Sequence, residues 1–368
     1  MNTPLRKGFT TGTCAAAAAG AAAEMLLTGR AVTETAVRLP GGQVLHLPVI
    51  SVQIGAGAVS CAVVKDSGDD PDITNGIAIF AQVSCIPSET EITGGEGIGI
   101  VTKPGLDQPV GAYAINSTPR HMIAQALQSA AERHDYSGGF RAVISIPGGE
   151  ALAQKTYNPH MGIAGGLSVI GTTGIVEPMS TAALLDTIRL EMNMRKAAGE
   201  RILLLTLGNY GEQFLEQNLT ALVGRDVKCS NFIGDAITMG LSMEFEGILI
   251  IGHIGKLVKL GSGIFQTHSS FADGRMETLI ACGVLAGADP DVLRKLTDCA
   301  TVDAALSILQ ENDCMNAVLN TLTARIGHYL RVRVRDALPI GAAIFSYQHD
   351  IWLQTEQVPF LIQQLTED

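Results

Sequence analysis

The alternation of apolar and polar positions changes near residue 138, and this change predicts two domains. Before it, one Ala-rich helical stretch at about 13–28 is followed by short β-rich segments that Gly and Pro separate. After it, helical stretches alternate with continuous apolar runs, which lie at 142–146, 167–170, 202–207, 227–232 and 247–252. Continuous runs of this kind are typical of parallel strands that helices cover on both faces.

The predicted fold therefore mixes α/β and α+β structure. We expect an N-terminal α+β domain at residues 1–138 and a Rossmann-like α/β domain with a mainly parallel sheet at residues 139–368. Within the first domain, Pro40, Gly41 and Gly42 predict a hairpin turn, and a helix is expected at about 117–134. Ligands of open parallel sheets bind beyond the carboxyl ends of the strands, so the loops that follow the strands are the candidate functional segments.

Four of those loops are rich in glycine and polar residues. They read GTTGIVEPMS at 171–180, GNYGE at 208–212, SNFIGD at 230–235 and GHIGKLVKL at 252–260. Glycine lets backbone N–H groups approach a ligand, and Glu177, Asn209 or Asp235 could bond a ribose hydroxyl or an amine. Tight turns alone explain any single loop, whereas the four together favour a ligand site. Neither a dinucleotide fingerprint after the first strand of this region nor a phosphate-binding P-loop is found.

The charge balance limits the choice of ligand. With 25 Lys and Arg against 36 Asp and Glu, the net charge of -11 opposes nucleic-acid and anionic-membrane binding. An anionic ligand must therefore meet a local basic cluster. A helix starting at His253 would place His253, Lys256 and Lys259 in one stripe about 120° wide, with Arg275 following in the chain. The alternative is an ordinary solvated helix face.

Cysteine usage and hydropathy bound the cellular setting. Seven cysteines without a C-x-x-C pair argue against a disulfide framework or a zinc ribbon, and favour a reducing cytoplasm. No apolar run is long enough to predict a membrane span. His253 and His268 could ligate a metal together with Asp273, but no H-E-x-x-H motif or cysteine lies near, so no protein-bound metal is expected.

Blocks along most of the chain resemble one family. They are RKGFTTGTCAAAAA (6–19), DDPDITNG (69–76), GGEGIGIVTKPGL (94–106), AINSTPRHMI (115–123), TYNPHMGIAGGLSVIGTTGIVEPMS (156–180), GNYG (208–211), SNFIGD (230–235) and GHIGKLVKLGSGIFQTHSSFADGRME (252–277). In this order they resemble CbiD, the cobalt-precorrin-5B C1-methyltransferase family of anaerobic cobalamin biosynthesis. Residues 278–368 carry no motif that matches closely.

The resemblance implies S-adenosylmethionine (SAM) as methyl donor and an anionic tetrapyrrole, which itself carries the cobalt, as acceptor. On this basis His253 or His268 is expected to act as the base that removes a proton during methylation. The residues expected to contact the donor are Gly171, Thr172, Thr173, Gly174, Glu177, Asn209 and Asp235. Those expected to pair with carboxylates of the acceptor are Lys256, Lys259, Arg275, Arg120 and His121.

Two other functions fit part of the pattern. An NAD(P)-dependent reductase could use the same strand-end glycines, and a non-enzymatic carrier of a tetrapyrrole could use the same basic cluster. Neither explains the ordered set of blocks, so the methyltransferase is the leading hypothesis. The sequence permits a homo-oligomer and indicates neither a nucleic-acid nor a membrane partner.

Overall fold

The computed structural model describes residues 5–367, which form two compact units that divide between Thr181 and Ala182. Both units combine helices with mixed sheets, as the sequence predicted for the fold class. None of the helices in the described part of the chain has the length and apolarity that a bilayer crossing requires.

The first unit contains three helices and eleven strands. The helices are α1 (Thr11–Thr28), α2 (Ser117–Arg133) and α3 (Gly149–Ala153). The strands are β1 (Gly8–Phe9), β2 (Glu34–Arg38), β3 (Val44–Pro48), β4 (Ile50–Ile54), β5 (Ala58–Val64), β6 (Ala78–Ile86), β7 (Glu91–Gly94), β8 (Ile100–Val101), β9 (Gly139–Ser145), β10 (Ile163–Ala164) and β11 (Ile175–Val176).

Helix α1 is the centre of the first unit's core. The Thr10 side chain caps the helix by accepting a hydrogen bond from Thr13 N–H at 3.2 Å, and Gly29 ends it in a left-handed conformation. The helix contains eight alanines, all buried, so its backbone lies close to α2 and to the five-stranded sheet β4-β5-β6-β9-β7. The predicted hairpin is present as β2 and β3.

The first unit extends beyond the boundary that the sequence predicted. Strand β9, which covers most of the 142–146 run, pairs antiparallel with β6 and parallel with β7. It therefore belongs to the first unit's sheet and does not open a parallel sheet in the second. The 167–170 run is no regular strand, because Leu167 and Val169 make only isolated bridges, to Ile98 and Ile115. The structure thus divides the chain at 181, after these segments, and not at 138.

The second unit begins with α4 (Thr181–Ala197) and adds eight helices and five strands. The helices are α5 (Asn209–Asn218), α6 (Ile233–Ser242), α7 (Ile254–Leu257), α8 (Arg275–Leu285), α9 (Pro290–Leu296), α10 (Val302–Glu311), α11 (Met315–Val334) and α12 (Val358–Glu367), with 3-10 turns at Thr220–Leu222 and Val258–Ser262. The strands are β12 (Ile202–Thr206), β13 (Val227–Lys228), β14 (Gly247–His253), β15 (Ile340–Ser346) and β16 (Ile351–Gln354).

The second unit's sheet has the order β13-β12-β14-β15-β16, and only β16 runs antiparallel to its neighbour. Successive residues of β12 alternate between two cores: Leu204 packs with α5 and α12, whereas Leu203 and Leu205 pack with α4, α6 and the helices that follow β14. Both faces are covered, which is why the strand sequences are continuously apolar. The runs at 202–207, 227–232 and 247–252 are confirmed as β12, β13 and β14, although β13 is shorter than predicted.

Truncating a core side chain of β12 should destabilise the second unit. Leu204 is fully buried, so we expect Leu204→Ala to lower the free energy of unfolding by about 2–5 kcal/mol. Leu184→Ala is the matched control, because Leu184 lies on α4 of the same unit with its side chain exposed, and its effect should stay below about 0.5 kcal/mol. Urea unfolding monitored by circular dichroism measures both, and equal effects would contradict this assignment of the core.

Candidate active site

The sheet order of the second unit points to a candidate ligand crevice at the carboxyl ends of β12 and β14. The chain leaves β12 towards α5 on one face of the sheet, where Phe214 packs with Leu204. It leaves β14 towards α7 on the other face, where Ile254 packs with Leu205. Strands whose connections diverge in this way leave a gap between their loops, and open α/β sheets bind ligands there.

The first loop of the crevice, Gly208–Gly211, depends on two glycines. Gly208 has φ 69° and ψ -166°, which only glycine adopts readily, and no atom lies within 4 Å of the position a Cβ would take. At Gly211 a Cβ would lie 2.7 Å from Thr206 Cβ, so glycine permits α5 to pack closely on β12. No side chain caps α5 at Gly208, and Asn209 is exposed beside the open backbone.

The second loop contains His253, whose ring is oriented by the backbone. Its Nδ1 accepts a hydrogen bond from Gly255 N–H at 3.1 Å and thereby caps α7. A neutral imidazole with an accepting Nδ1 carries its proton on Nε2. Partial burial lowers the pKa of His253 below its usual value, and Asp303 opposes that shift. His253 is therefore a neutral ring near pH 7 with a single N–H donor at Nε2.

Three aromatic residues, Tyr210, Phe345 and Tyr347, lie near His253 at this edge of the sheet. The ring centroid of His253 lies 6.1 Å from that of Tyr210 and 5.6 Å from that of Phe345, which in turn lies 5.2 Å from Tyr347. Phe345 is buried, whereas Tyr210 and Tyr347 are 63% and 44% exposed. Two accessible aromatic rings thus lie beside the crevice, where a flat or cationic group could pack on them.

The two lysines of the predicted stripe differ in what they do. Lys256 is half-buried, burial lowers its pKa, and its ammonium makes no hydrogen bond or ion pair with the residues that the structure describes. Lys259 is buried, and its Nζ donates to the carbonyls of Thr267 and Ala272 at 3.1 and 2.8 Å. Lys259 therefore holds a loop, and its ammonium is not presented to solvent as the predicted acceptor contact requires.

The loop held by Lys259 contains His268 and lies near the end of β13. Asn231 Oδ1 accepts from Thr267 Oγ1 at 3.1 Å, and Gly234 N–H donates to Phe265. The segments SNFIGD and FQTH are thus in contact. His268 is exposed, and its Nδ1 accepts from Ser270 N–H at 3.2 Å and lies 2.6 Å from Ser270 Oγ. The Ser270 hydroxyl can donate to the same nitrogen, which leaves the ring proton on Nε2.

Charged residues around this loop complete the second unit's candidate site. Arg275, at the start of α8, forms an ion pair with Asp273 that includes an Nη2 to Oδ2 contact of 2.8 Å. Asp235 is exposed in the first turn of α6. His253, His268 and Asp273 do not form a metal centre, because no group of three or more His, Cys, Asp or Glu side chains within residues 5–367 is placed to hold an ion.

The predicted donor loop 171–177 lies in the first unit, packed on the start of α1. A Cβ at Gly171 would lie 2.3 Å from Thr10 Oγ1, and one at Gly174 would lie 2.7 Å from a methyl group of Leu39. Thr13 Oγ1 donates to the Gly174 carbonyl at 2.7 Å. These two glycines therefore permit close packing on the helix.

The remaining predicted contacts are also in the first unit. Thr172 and Thr173 are exposed, and Glu177 forms an ion pair with Lys7. Arg120 donates to the Ile115 and Ile92 carbonyls at 2.8 and 2.9 Å, and burial lowers its pKa. The neighbouring His121 is exposed on α2. The structure thus gives Arg120 contacts with its own unit's backbone, whereas His121 remains accessible.

Sequence reasoning missed the aromatic residues of the site. Tyr210 lies inside the GNYG segment, where Asn209 is the predicted donor contact. Tyr347 follows β15, which was not predicted because Gly341, Ala342 and Ala343 make it less distinctly apolar than the other strands. A search for exposed aromatic residues directly after every strand would have found both.

Comparison with known proteins identifies the family of the chain. Residues 1–178 match the CbiD family model, and residues 266–356 match that of the CbiD C-terminal domain. The cobalt-precorrin-5B C(1)-methyltransferase of Ruminiclostridium cellulolyticum is 42% identical over 93% of this chain and 89% of its own length. The Alkaliphilus metalliredigens protein of the same name is 40% identical over 99% and 96%.

A solved structure titled cobalamin biosynthesis protein (cbiD), from Archaeoglobus fulgidus, is 28% identical, with a TM-score of 0.40 over 74% of this chain and 84% of that one. The sheets and helices of the two units define a mixed α/β protein. Relatives that are about 40% identical along nearly the whole chain identify the family within that class. The chain belongs to the CbiD family.

The protonation state of His253 can be measured directly. We expect nitrogen-15 NMR to show a protonated Nε2 and a bare Nδ1 at pH 7, with a pKa below about 6.5. Because this pKa lies below that of the unfolded chain, the stabilising contribution of neutral His253 is fully present above about pH 6.5 and declines as the pH falls towards the lowered pKa. His253→Gln assigns the resonance by its loss. A protonated Nδ1 would contradict the capping geometry.

Proposed function

We propose that this protein transfers a methyl group from SAM to C1 of cobalt-precorrin-5B, which gives cobalt-precorrin-6A. The observation that carries the proposal is the level of identity, about 40% over at least 93% of the chain, to relatives named for this reaction. The seven free cysteines are compatible with a reducing cytoplasm as the place of reaction.

We propose that the second unit is Rossmann-like and binds SAM at its crevice. Four features of that edge suit the ligand: the uncapped start of α5, the open space at Gly208, the exposed Asn209 and the exposed ring of Tyr210. The adenine ring and the sulfonium cation can both pack on aromatic faces, while amide and carboxylate side chains can bond the ribose and the amino group. Asp235, which follows the neighbouring strand β13, is the acidic partner in this proposal.

The donor loop predicted at 171–174 is not part of this crevice proposal. Its two glycines are used for packing on α1, and Glu177 is already paired with Lys7. We therefore assign these residues a structural role in the first unit. The same reasoning applies to Arg120, whose guanidinium is engaged by backbone carbonyls.

Binding of the anionic acceptor is proposed for Lys256, Arg275 and His268 of the second unit. Lys256 suits a carboxylate because its ammonium is partly desolvated and has no partner within residues 5–367. A charge-assisted hydrogen bond is stronger than a neutral one, and partial burial reduces its screening by solvent. A local cluster of this kind can hold an anion on a protein whose net charge is -11.

SAM supplies a methyl group on a positively charged sulfur, and the protein's main task is to hold that group in line with C1. As the carbon–sulfur bond breaks, its electron pair stays on sulfur, and the acceptor ring supplies the pair for the new bond. The orientation of His253 and His268 suits hydrogen-bond donation from Nε2 to the acceptor. A role as base requires the opposite tautomer, with Nδ1 released from Gly255 or Ser270.

The donor site can be tested with S-adenosylhomocysteine, the demethylated form of SAM. Isothermal titration should give micromolar binding to the wild-type protein, whereas NADPH should not bind. Removing a hydrogen bond to a charged group typically costs about 1.5–3 kcal/mol, so Asp235→Ala should weaken binding by about tenfold or more. Glu216→Ala, at the exposed far end of α5, is the control and should bind normally. Binding of NADPH alone would instead favour the reductase.

Substitutions of His253 separate hydrogen-bond donation from base catalysis. Glutamine keeps an N–H donor but has no basic nitrogen. If His253 donates, His253→Gln should retain most of the methyl-transfer rate, while His253→Ala loses about tenfold to a hundredfold. If His253 is the base, both variants should lose about 10²–10⁴-fold in kcat. Unchanged turnover of His253→Ala at saturating substrate would remove His253 from the reaction.

A further inference from the structure

The loop Thr267–Asp273, which we call the clamped loop, presents an exposed phenylalanine. Phe271 is 76% exposed, and no aromatic side chain among residues 5–367 is more accessible. Exposing a large apolar ring to water is unfavourable, and such rings on natural surfaces often mark contact sites. A single exposed ring is common on protein surfaces, so the case for a function of Phe271 depends on the structure around it.

Lys259 fixes the backbone on both sides of this ring. Its buried ammonium donates to Thr267 before the ring and to Ala272 after it. Removing an ammonium group from water is costly unless hydrogen bonds replace the lost solvent. The bonds that offset this cost are all made to the clamped loop, with Asp273 Oδ1 at 3.9 Å as the nearest carboxylate. The loop is thereby ordered before any ligand arrives.

The interior of the loop is ordered as well. Phe271 N–H donates to the His268 carbonyl at 3.1 Å, and His268 N–H donates to Gln266 Oε1 at 3.0 Å. Thr267 is joined to Asn231 by a backbone and a side-chain hydrogen bond. A flat apolar ring and the N–H donor of His268 therefore lie on one turn. Because this turn is already ordered, binding a ligand to it costs little additional conformational entropy.

We propose that the clamped loop binds the acceptor, with the Phe271 ring stacked on the face of the macrocycle and His268 Nε2 donating to a carboxylate at its rim. This inference rests on the proposed function and identifies a contact that the basic residues do not supply. Phe271 has no polar atom, so it suits a broad flat face. The carboxylates at the rim of the macrocycle require donors, and His268 provides one. Lys259 is a positioning residue that acts through the loop.

Titration with uroporphyrin, a flat tetrapyrrole that carries acetate and propionate groups, tests the contact without the unstable substrate. Stacking of a base on an aromatic side chain is worth about 1–3 kcal/mol, so Phe271→Ala should weaken binding by about fivefold to a hundredfold, measured from the change in porphyrin absorbance. Phe360→Ala is the matched control, since Phe360 is an exposed phenylalanine on α12, and it should bind as the wild type does. S-adenosylhomocysteine affinity should be unchanged in both variants.

Lys259→Met tests the clamp. It should weaken uroporphyrin binding about as much as Phe271→Ala does, and the double variant should be no weaker than the more affected single one, because both act through one contact. Thermal unfolding checks that the variants are folded. Phe271→Ala remains decisive even if Lys259→Met is unstable, because Phe271 is exposed.

The outcomes separate this inference from the proposed function. Equal uroporphyrin affinity of wild type and Phe271→Ala overturns the inference while leaving the donor site intact. A wild-type protein that binds S-adenosylhomocysteine but no uroporphyrin also overturns it. If the wild type binds neither ligand and transfers no methyl group, the proposed function fails as well. Selective loss of uroporphyrin affinity in Phe271→Ala supports the contact.

Discussion

The parallel pairing of β12 with β13 and β14, and of β14 with β15, is the constraint on which the second unit depends. Parallel strands have their carboxyl ends at one edge, so every loop that leaves them emerges on the same side of the sheet. Helices cover both faces, with α5 on one side and α7 on the other, and the proposed crevice lies between the loops that lead to them. Asn209 and Tyr347 both lie at that edge although 138 positions separate them in the sequence.

Backbone hydrogen bonds orient two histidines of the second unit, His253 at the end of β14 and His268 in the loop before α8. His253 and His268 each accept a backbone N–H at Nδ1 two residues ahead, so each presents the remaining N–H outward. At His253 the capping bond fixes the ring without another side chain, whereas Ser270 Oγ also lies 2.6 Å from His268 Nδ1. The bond to His253 also favours its neutral imidazole, because protonating Nδ1 would place two hydrogens face to face. Local loop structure therefore determines what chemistry either ring can perform.

Local patterns in the sequence predicted those features that depend on neighbouring residues. The alanine run predicted helix α1, and the continuous apolar runs predicted β12 and β14. Which sheet a strand joins is not a local property, and β9 was assigned to the wrong one for that reason. His253, Lys256 and Lys259 do not form the predicted stripe on one helix face, because α7 ends at Leu257 and a 3-10 turn follows. Its different rotation per residue, together with packing, buries Lys259.

The burial of Lys259 and the partial burial of Lys256 also explain how an acidic protein can bind an anion. Surface charges act over about 8 Å at physiological ionic strength, so a net charge of -11 spread over the chain is largely screened at any one point. A half-buried ammonium is screened less and has already lost part of its hydration, so a carboxylate that pairs with it restores a favourable interaction. The ammonium of Lys259 instead bonds to backbone carbonyls, so of these two lysines only Lys256 has no partner among residues 5–367.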